Sequence, residues 1–252
     1  MAYQLTKDKD GSVLFGYYPQ TRKSKTVTIT DAPNEYGVCG GSDGCRYLAT
    51  RGDYFKIEPI RWRVLKEKDG KLLLLSEMIL DFRPFDEGGT NSYLWSDLSD
   101  WLDDDFFYDA FSPTERRMIL ATSIRCDEES ATPPPGVLSD EVFQSNWAGA
   151  VDPQNAETFK DKVFLFGVRN VTQPDFGFRE DPYAFDENRV ARLTDYAKAA
   201  SGDPSDTAAW WLRSPIPHLD CYVRVVGEGG NADGEVYVAD PCGVRPVIRI
   251  KT

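Results

Sequence analysis

The C-terminal segment constrains the fold more than any other stretch, because it holds four short apolar runs separated by Gly, Asp and Asn. The runs are residues 210–215, 221–226, 235–238 and 243–250. Short runs of β-branched and aromatic residues between turn-forming residues are typical of strands that pair with their neighbours. The sequence therefore predicts a local antiparallel sheet of four strands.

A β-hairpin is predicted nearer the N-terminus. Residues 54–65 alternate between apolar and polar side chains, as a half-buried strand does. Asp69-Gly70 is a typical two-residue hairpin turn, and residues 71–76 return as a strand. Because this second strand is apolar on both faces, we expect it at the centre of a sheet.

Apolar side chains at helical spacing predict three helices. The first lies around residues 98–106 and has Ser96 as its N-cap. The second starts at Ser112, which has capping-box spacing to a Glu three residues later. The third is predicted over residues 186–200, with Gly202 as its stop.

Strands, then helices, then strands again predict an α+β fold, because an α/β fold would alternate the two. No repeat or break in composition divides the chain, so we expect one domain over residues 1–252. Its parts are a β-rich part at 1–80, a helical part at 93–125 and a C-terminal antiparallel sheet at 207–252. Residues 31–53 and 127–160 lack periodicity and are predicted to be irregular.

Composition excludes several partners. The net charge of −12 makes a surface that repels phosphate backbones and anionic lipids, so neither nucleic acid nor a membrane is expected as a partner. No apolar run approaches the ~18 residues that span a bilayer. Residues 1–8 lack the apolar region of a signal peptide, so we expect a cytoplasmic protein.

The cysteines do not predict a disulfide scaffold, because their number is odd in a long chain. They are Cys39, Cys45, Cys126, Cys221 and Cys242. The first two flank a Gly-rich loop and the last two lie in or beside neighbouring predicted strands, so each pair is a candidate disulfide. Free, half-buried thiols are the simpler interpretation.

No motif predicts a catalytic residue, a metal or a cofactor. His218 is the single histidine, and it lies in a loop without a nucleophile elbow or zinc-ligand spacing. The aspartates within residues 97–109 are typical of a solvated helix face. No phosphate-binding loop or dinucleotide fingerprint is present.

A candidate binding surface lies on the Trp-rich strand. Trp210 and Trp211 are adjacent and therefore point to opposite faces, so one belongs to the core and the other is a candidate wall for a groove. Arg213 and Arg245 either frame such a groove or pair with surplus carboxylates. With the loop at 216–220 and the turn at 227–234, the candidate ligand-binding residues are Trp210, Trp211, Arg213, His218 and Arg245.

Several blocks of sequence resemble a known family. They are residues 54–65, Trp101-Leu102 followed by Phe111-Ser112, 194–197, 210–215 and 243–246. In this order, from about residue 12 to the C-terminus, they resemble the bacterial DUF6273 family. That family has no established activity, so the resemblance implies no reaction.

The Trp-rich strand followed by a Gly-Val-Arg-Pro strand also resembles the C-type-lectin-like fold. This resemblance implies small twisted antiparallel sheets flanked by two or three helices, with the termini close together. Calcium-dependent lectins carry Trp-Asn-Asp, which is absent here, and Gln173-Pro174-Asp175 precedes the Trp-rich strand instead of following it. The paired cysteines of formylglycine-generating enzymes are not recognisable either.

These observations favour a non-enzymatic binding or interaction domain, with a carbohydrate or a protein as its ligand. Loops on a rigid sheet scaffold are where binding usually resides. One alternative is an enzyme that uses carboxylates near an Arg-lined cleft as acid and base. Another is a purely structural module within a larger assembly.

Overall fold

The structure is a computed structural model that describes residues 5–252. Residues 1–4 belong to the stretch in which no signal peptide is expected, and they lie outside the described residues. The strands, in chain order, are β1 (Thr6–Lys7), β2 (Val13–Arg22), β3 (Val38–Gly40), β4 (Arg46–Thr50), β5 (Asp53–Lys68), β6 (Lys71–Ser76), β7 (Asp81–Arg83), β8 (Thr122–Cys126), β9 (Glu157–Asp161), β10 (Val163–Phe164), β11 (Trp210–Ile216), β12 (Leu219–Val226), β13 (Gly234–Tyr237), β14 (Cys242–Val244) and β15 (Val247–Lys251).

The helices are short. They are α1 (Asp97–Trp101), α2 (Phe107–Ala110), α3 (Pro113–Arg116), α4 (Glu128–Ala131), α5 (Asp140–Asn146), α6 (Val168–Val171) and α7 (Asp195–Ser201). A π-helical turn at Leu102–Phe106 joins α1 to α2, and 3₁₀ turns lie at Tyr93–Trp95, Pro153–Asn155 and Pro174–Phe176. Several antiparallel sheets with few helical residues make the fold α+β, as predicted.

The first sheet has the strand order β1-β2-β5-β6-β15-β10, and the β3–β4 hairpin is attached to β5. The predicted hairpin is confirmed as β5 and β6. Asp69 and Gly70 form its turn with φ of 50° and 66°, the left-handed values that a two-residue turn requires. β6 pairs with β5 on one side and β15 on the other, which confirms its central position.

The second sheet has the order β13-β12-β11-β14-β7. The predicted four-stranded C-terminal sheet is wrong in two respects. β14 pairs with β11 in parallel, and the last predicted strand is divided between the two sheets, with β14 in the second and β15 in the first. Pro246 lies at the division, where its missing N–H and fixed φ interrupt a continuous strand.

Both stretches predicted to be irregular contain regular structure. Residues 31–53 include the β3–β4 hairpin. Residues 127–160 include α4, α5 and most of β9, which pairs with β8 as a two-stranded sheet. The partners β8 and β9 are far apart in the chain, so local periodicity carries no trace of their pairing.

The predicted helix starts are confirmed at two caps. Ser96 Oγ accepts a hydrogen bond from Ser99 N at 3.2 Å, and Ser112 forms a capping box with Glu115. The third helix is confirmed only over α7, which ends at Gly202 with φ of 72°. Residues 186–194 are not helical, because their backbone bonds other elements: Arg189 O, for example, accepts the indole N–H of Trp210.

The core is a continuous cluster of apolar side chains shared by both sheets. Trp210 and Trp211 are both fully buried, so the prediction that one of them lines a surface groove is wrong. Their indole N–H groups donate to Arg189 O at 3.0 Å and to Arg83 O at 2.8 Å. Within residues 5–252, no helix has the length and apolar character needed to cross a membrane.

Candidate functional site

Arg245 is part of the core and frames no groove. Its side chain is fully buried, lies over the Trp210 ring at 5.0 Å, and donates from Nε to Ser76 O at 2.8 Å. Burial lowers the pKa of Arg245 to about 9. No carboxylate of the described residues forms an ion pair with it, so both sequence-based interpretations of Arg245 are wrong. Together with Trp210 and Trp211 it holds the fold.

Arg213 and His218, the other two predicted site residues, line the same cleft. Its volume is about 770 Å³. The loop at residues 88–95 forms one wall and the loop at 149–152 another, and the turn between β11 and β12 also lines the cleft. The predicted loop at 216–220 therefore contributes to the cleft, whereas the turn at 227–234 does not line it.

The Arg213 guanidinium lies at the floor of the cleft and is only 7% exposed. It donates to Leu165 O at 2.6 Å, to Asn170 Oδ1 at 3.0 Å and to Arg125 O at 3.2 Å. Burial lowers its pKa. Backbone carbonyls and an amide, instead of a carboxylate, satisfy its donors, so the prediction that it pairs with a carboxylate is wrong. Arg213 gives the floor a fixed positive charge.

Trp95 is the feature of the cleft that the sequence analysis missed. Its side chain is 69% exposed, whereas its neighbour Tyr93 is buried and anchors the loop by accepting a hydrogen bond from Leu165 N. A sequence signal was available. Trp95 directly precedes the N-cap Ser96. An apolar residue at the position before an N-cap usually packs against the fourth residue of the helix. That residue is Asp100, so Trp95 has no apolar partner there and faces solvent.

Hydrogen bonds fix both walls of the cleft. Asn91 donates from its backbone N to Asp220 O at 3.1 Å and from Nδ2 to Leu219 O at 2.9 Å. On the other side, the Glu128 carboxylate accepts from Gly149 N at 2.8 Å and Val151 N at 2.9 Å. The loops are thus tied to β12 and α4, and the cleft is preformed.

Three carboxylates line the cleft: Asp152, Glu157 and Asp220. Glu157 and Asp220 form no ion pair within residues 5–252, so their oxygens are available as hydrogen-bond acceptors. His218 is exposed at the end of the cleft, in a turn where its φ is 61°. A non-Gly residue in the left-handed region is strained, and such strain is often found at functional sites.

Cys126 also lines the cleft, but its thiol is not activated. Burial raises its pKa to about 11, so the nucleophilic thiolate is scarce at neutral pH. All five cysteines are free thiols, which confirms the simpler interpretation over the two candidate disulfides. In the part of the chain that the structure describes, no three His, Cys, Asp or Glu side chains are grouped to hold a metal ion.

Asp161 is the carboxyl group with the strongest perturbation, and it does not line the cleft. It is 8% exposed, and its Oδ2 has no hydrogen-bond partner among residues 5–252. Burial, and then the neighbouring charge of Asp103, raise the pKa of Asp161 to about 7. A carboxyl with this pKa is about half protonated at neutral pH.

The comparison with protein families agrees with the sequence blocks. The family model "Domain of unknown function (DUF6273)" matches residues 69–252, well over half of the chain. The chain belongs to the DUF6273 family. The match begins at the hairpin turn, so the block at residues 54–65 lies before it. No curated protein matches the chain, and no solved structure matches it.

The two C-terminal DUF6273 blocks, residues 210–215 and 243–246, contribute mainly to the core. Four of the five predicted site residues lie in them, and Trp210, Trp211 and Arg245 are buried there and bond to backbone carbonyls. Arg213 alone of these four reaches the cleft. Trp95, at the rim of the cleft, lies between the blocks.

Proposed function

We propose that this member of the DUF6273 family is a non-enzymatic binding domain that holds a neutral saccharide in the cleft beneath Trp95. The observation that carries the proposal is the exposed Trp95 at the rim of a preformed polar cleft. An indole face exposed beside hydrogen-bonding groups suits the apolar face of a sugar ring, which stacks on it while the hydroxyls turn to the polar wall.

The loop at residues 149–152 and the start of β9 supply the polar half of such a site. Asp152 and Glu157 offer carboxylate oxygens that accept hydrogen bonds from sugar hydroxyls. Hydrogen bonds to an ionised group are about twice as strong as neutral ones. The tied loops reduce the entropy lost on binding, because little has to be ordered.

The charge of the cleft favours a neutral ligand. Three carboxylates line it, against the guanidinium of Arg213. The net charge of the chain, −12, adds to the repulsion of an anionic sugar. Saccharides that carry a carboxylate or a sulfate are therefore expected to bind more weakly than neutral ones.

The scaffold that we propose is C-type-lectin-like. Two features support it: β15 joins the N-terminal strands β2, β5 and β6 in the first sheet, and β11 and β12 of the second sheet carry the turn that closes the cleft. Small antiparallel sheets with loops clustered at one end allow binding loops to vary without loss of the core.

A carboxylate-based enzyme is less well supported. Such an enzyme needs a general acid with a raised pKa on the wall of its cleft. Asp161 has the raised pKa, about 7, but it does not line the cleft.

The experiment is a thermal-shift screen against a panel of neutral and acidic saccharides, followed by calorimetry with the best ligand. Ligands that bind the folded state raise the unfolding midpoint. Trp95→Ala is expected to lower the affinity by roughly five- to 150-fold, because one stacked ring contributes about 1–3 kcal/mol to binding.

Tyr36→Ala is the matched control, since Tyr36 is an aromatic residue that is 75% exposed and does not line the cleft. Equal affinity loss in both variants would contradict the proposed site. If no saccharide of the panel binds, the proposal that the ligand is a saccharide is wrong. Binding of peptides instead would indicate that the partner is a protein.

A further inference from the structure

A smaller cleft lies across the β11–β12 turn from the main one. Its volume is about 270 Å³, and it shares Ile216 with the main cleft. Pro217 lines the small cleft and His218 the main one, so the two clefts adjoin at this turn.

The Tyr183 hydroxyl lines the small cleft with its proton uncommitted. Its oxygen accepts hydrogen bonds from Asn146 Nδ2 at 2.9 Å and from Trp147 Nε1 at 3.0 Å. A phenol oxygen accepts two such bonds and keeps one O–H to donate. Among residues 5–252 no acceptor takes that proton, so the hydroxyl is a donor for a further group.

Arg224 fixes the other side of the small cleft. Its guanidinium lies over the Trp147 ring at 4.2 Å and donates to Asp233 O at 2.8 Å and Asn146 O at 2.6 Å. The side chain is 6% exposed, so it cannot swing out to meet a partner. Its Nε has no hydrogen-bond partner in the described residues, but this atom is buried and does not face the cleft. Arg224 therefore fixes this side of the cleft and offers no donor of its own there.

Glu235 supplies an acceptor at the same place. Its carboxylate lines the small cleft, is exposed, and forms no ion pair within the described part of the chain. A group that meets a free O–H donor and a free carboxylate acceptor must both accept and donate, as an alcohol hydroxyl does. A carboxylate or phosphate would be repelled by Glu235.

We propose that the small cleft is a second subsite, which holds a further neutral hydroxyl-bearing unit of a saccharide bound in the main cleft. The inference rests on the proposed function and adds that the ligand is an oligosaccharide running over the Pro217-His218 turn. A hydroxyl of the outer unit accepts from Tyr183 and donates to Glu235.

The test compares a monosaccharide that binds the main cleft with its dimer and longer oligomers, by calorimetry. The longer ligands are expected to bind wild-type protein about tenfold more tightly, because the second subsite adds charge-assisted hydrogen bonds. Glu235→Ala is expected to remove about that tenfold gain and to leave the affinity for the monosaccharide unchanged.

Glu228→Ala is the matched control, an exposed acid of the loop before β13 that does not line either cleft. Affinity that is independent of ligand length, or an equal effect of Glu235→Ala on all lengths, would overturn the second subsite and leave the main site standing. If no saccharide of any length binds, both the second subsite and the proposed function are wrong.

Discussion

Asp161 is expected to make the stability of the fold depend on pH, and Asp161→Asn is the substitution that reveals it. The carboxyl is 8% exposed, one of its oxygens has no partner within residues 5–252, and Asp103 and Asp100 add like charge. Arg213 compensates only in part, because the pKa still rises from the ordinary 3.8 to about 7.

The direction of the effect follows from that pKa. A carboxyl whose pKa is raised by folding contributes its full stability below pH ~4, where it is protonated in both states, and this contribution is lost as the pH rises through about 7. Each unit of pKa corresponds to about 1.4 kcal/mol, so the ionised carboxylate costs the fold about 4 kcal/mol at most. Asn keeps the shape of the protonated carboxyl and does not titrate.

The measurement is urea unfolding of wild type and Asp161→Asn at about pH 5 and about pH 8. From the lower to the higher pH, the free energy of unfolding of the variant relative to wild type is expected to increase by about 3 kcal/mol. Asp175→Asn, at an exposed aspartate, is the control and is expected to show no such widening. A stability difference that stays the same at both pH values would refute the reasoning.

Two further predictions concern residues proposed from the sequence. His218→Gly is expected to raise the free energy of unfolding by up to about 1 kcal/mol, because Gly adopts the φ of 61° without strain, and a lower thermal midpoint would contradict this. Trp211→Phe removes the N–H that donates to Arg83 O at 2.8 Å, and is expected to lower the free energy of unfolding by about 1–3 kcal/mol in denaturant titration. Saccharide affinity should not change in Trp211→Phe, and a specific loss of binding in the folded variant would count against its structural role.

The sequence predicted the elements that depend on local chemistry. The turn at Asp69-Gly70 and the caps at Ser96 and Ser112 are set by residues within a few positions of one another. Such features survive in any context that leaves the segment intact, because their hydrogen bonds are local. They were confirmed for that reason.

The elements that failed depend on partners distant in the chain. The apolar spacing of residues 186–194 is helical, but Arg189 O accepts from Trp210, and Leu193 forms a parallel bridge with Ile79. The final apolar run reads as one strand, yet two sheets compete for it and Pro246 divides it. Periodicity in a single sequence does not contain this information.

Only part of the candidate site was predicted, because the sequence does not show which distant segments pack together. Arg213 lies on the Trp-rich strand and His218 in the turn that follows it, and both reach the cleft. Trp210 and Trp211 are enclosed because other residues cover both faces of β11. The exposure of Trp95 could have been predicted from the sequence, because Asp100 occupies the helical position at which an apolar residue would have packed against it.

Hydrogen–deuterium exchange of the protein with and without its best saccharide tests the central claim most directly, because it locates the bound ligand. Peptides covering residues 88–95 and 149–152 are expected to exchange more slowly in the complex, since these loops form the walls of the main cleft. The β3–β4 hairpin, which does not line that cleft, is expected to exchange at an unchanged rate. Protection at the hairpin with none at the two loops would place the ligand elsewhere and contradict the proposed site.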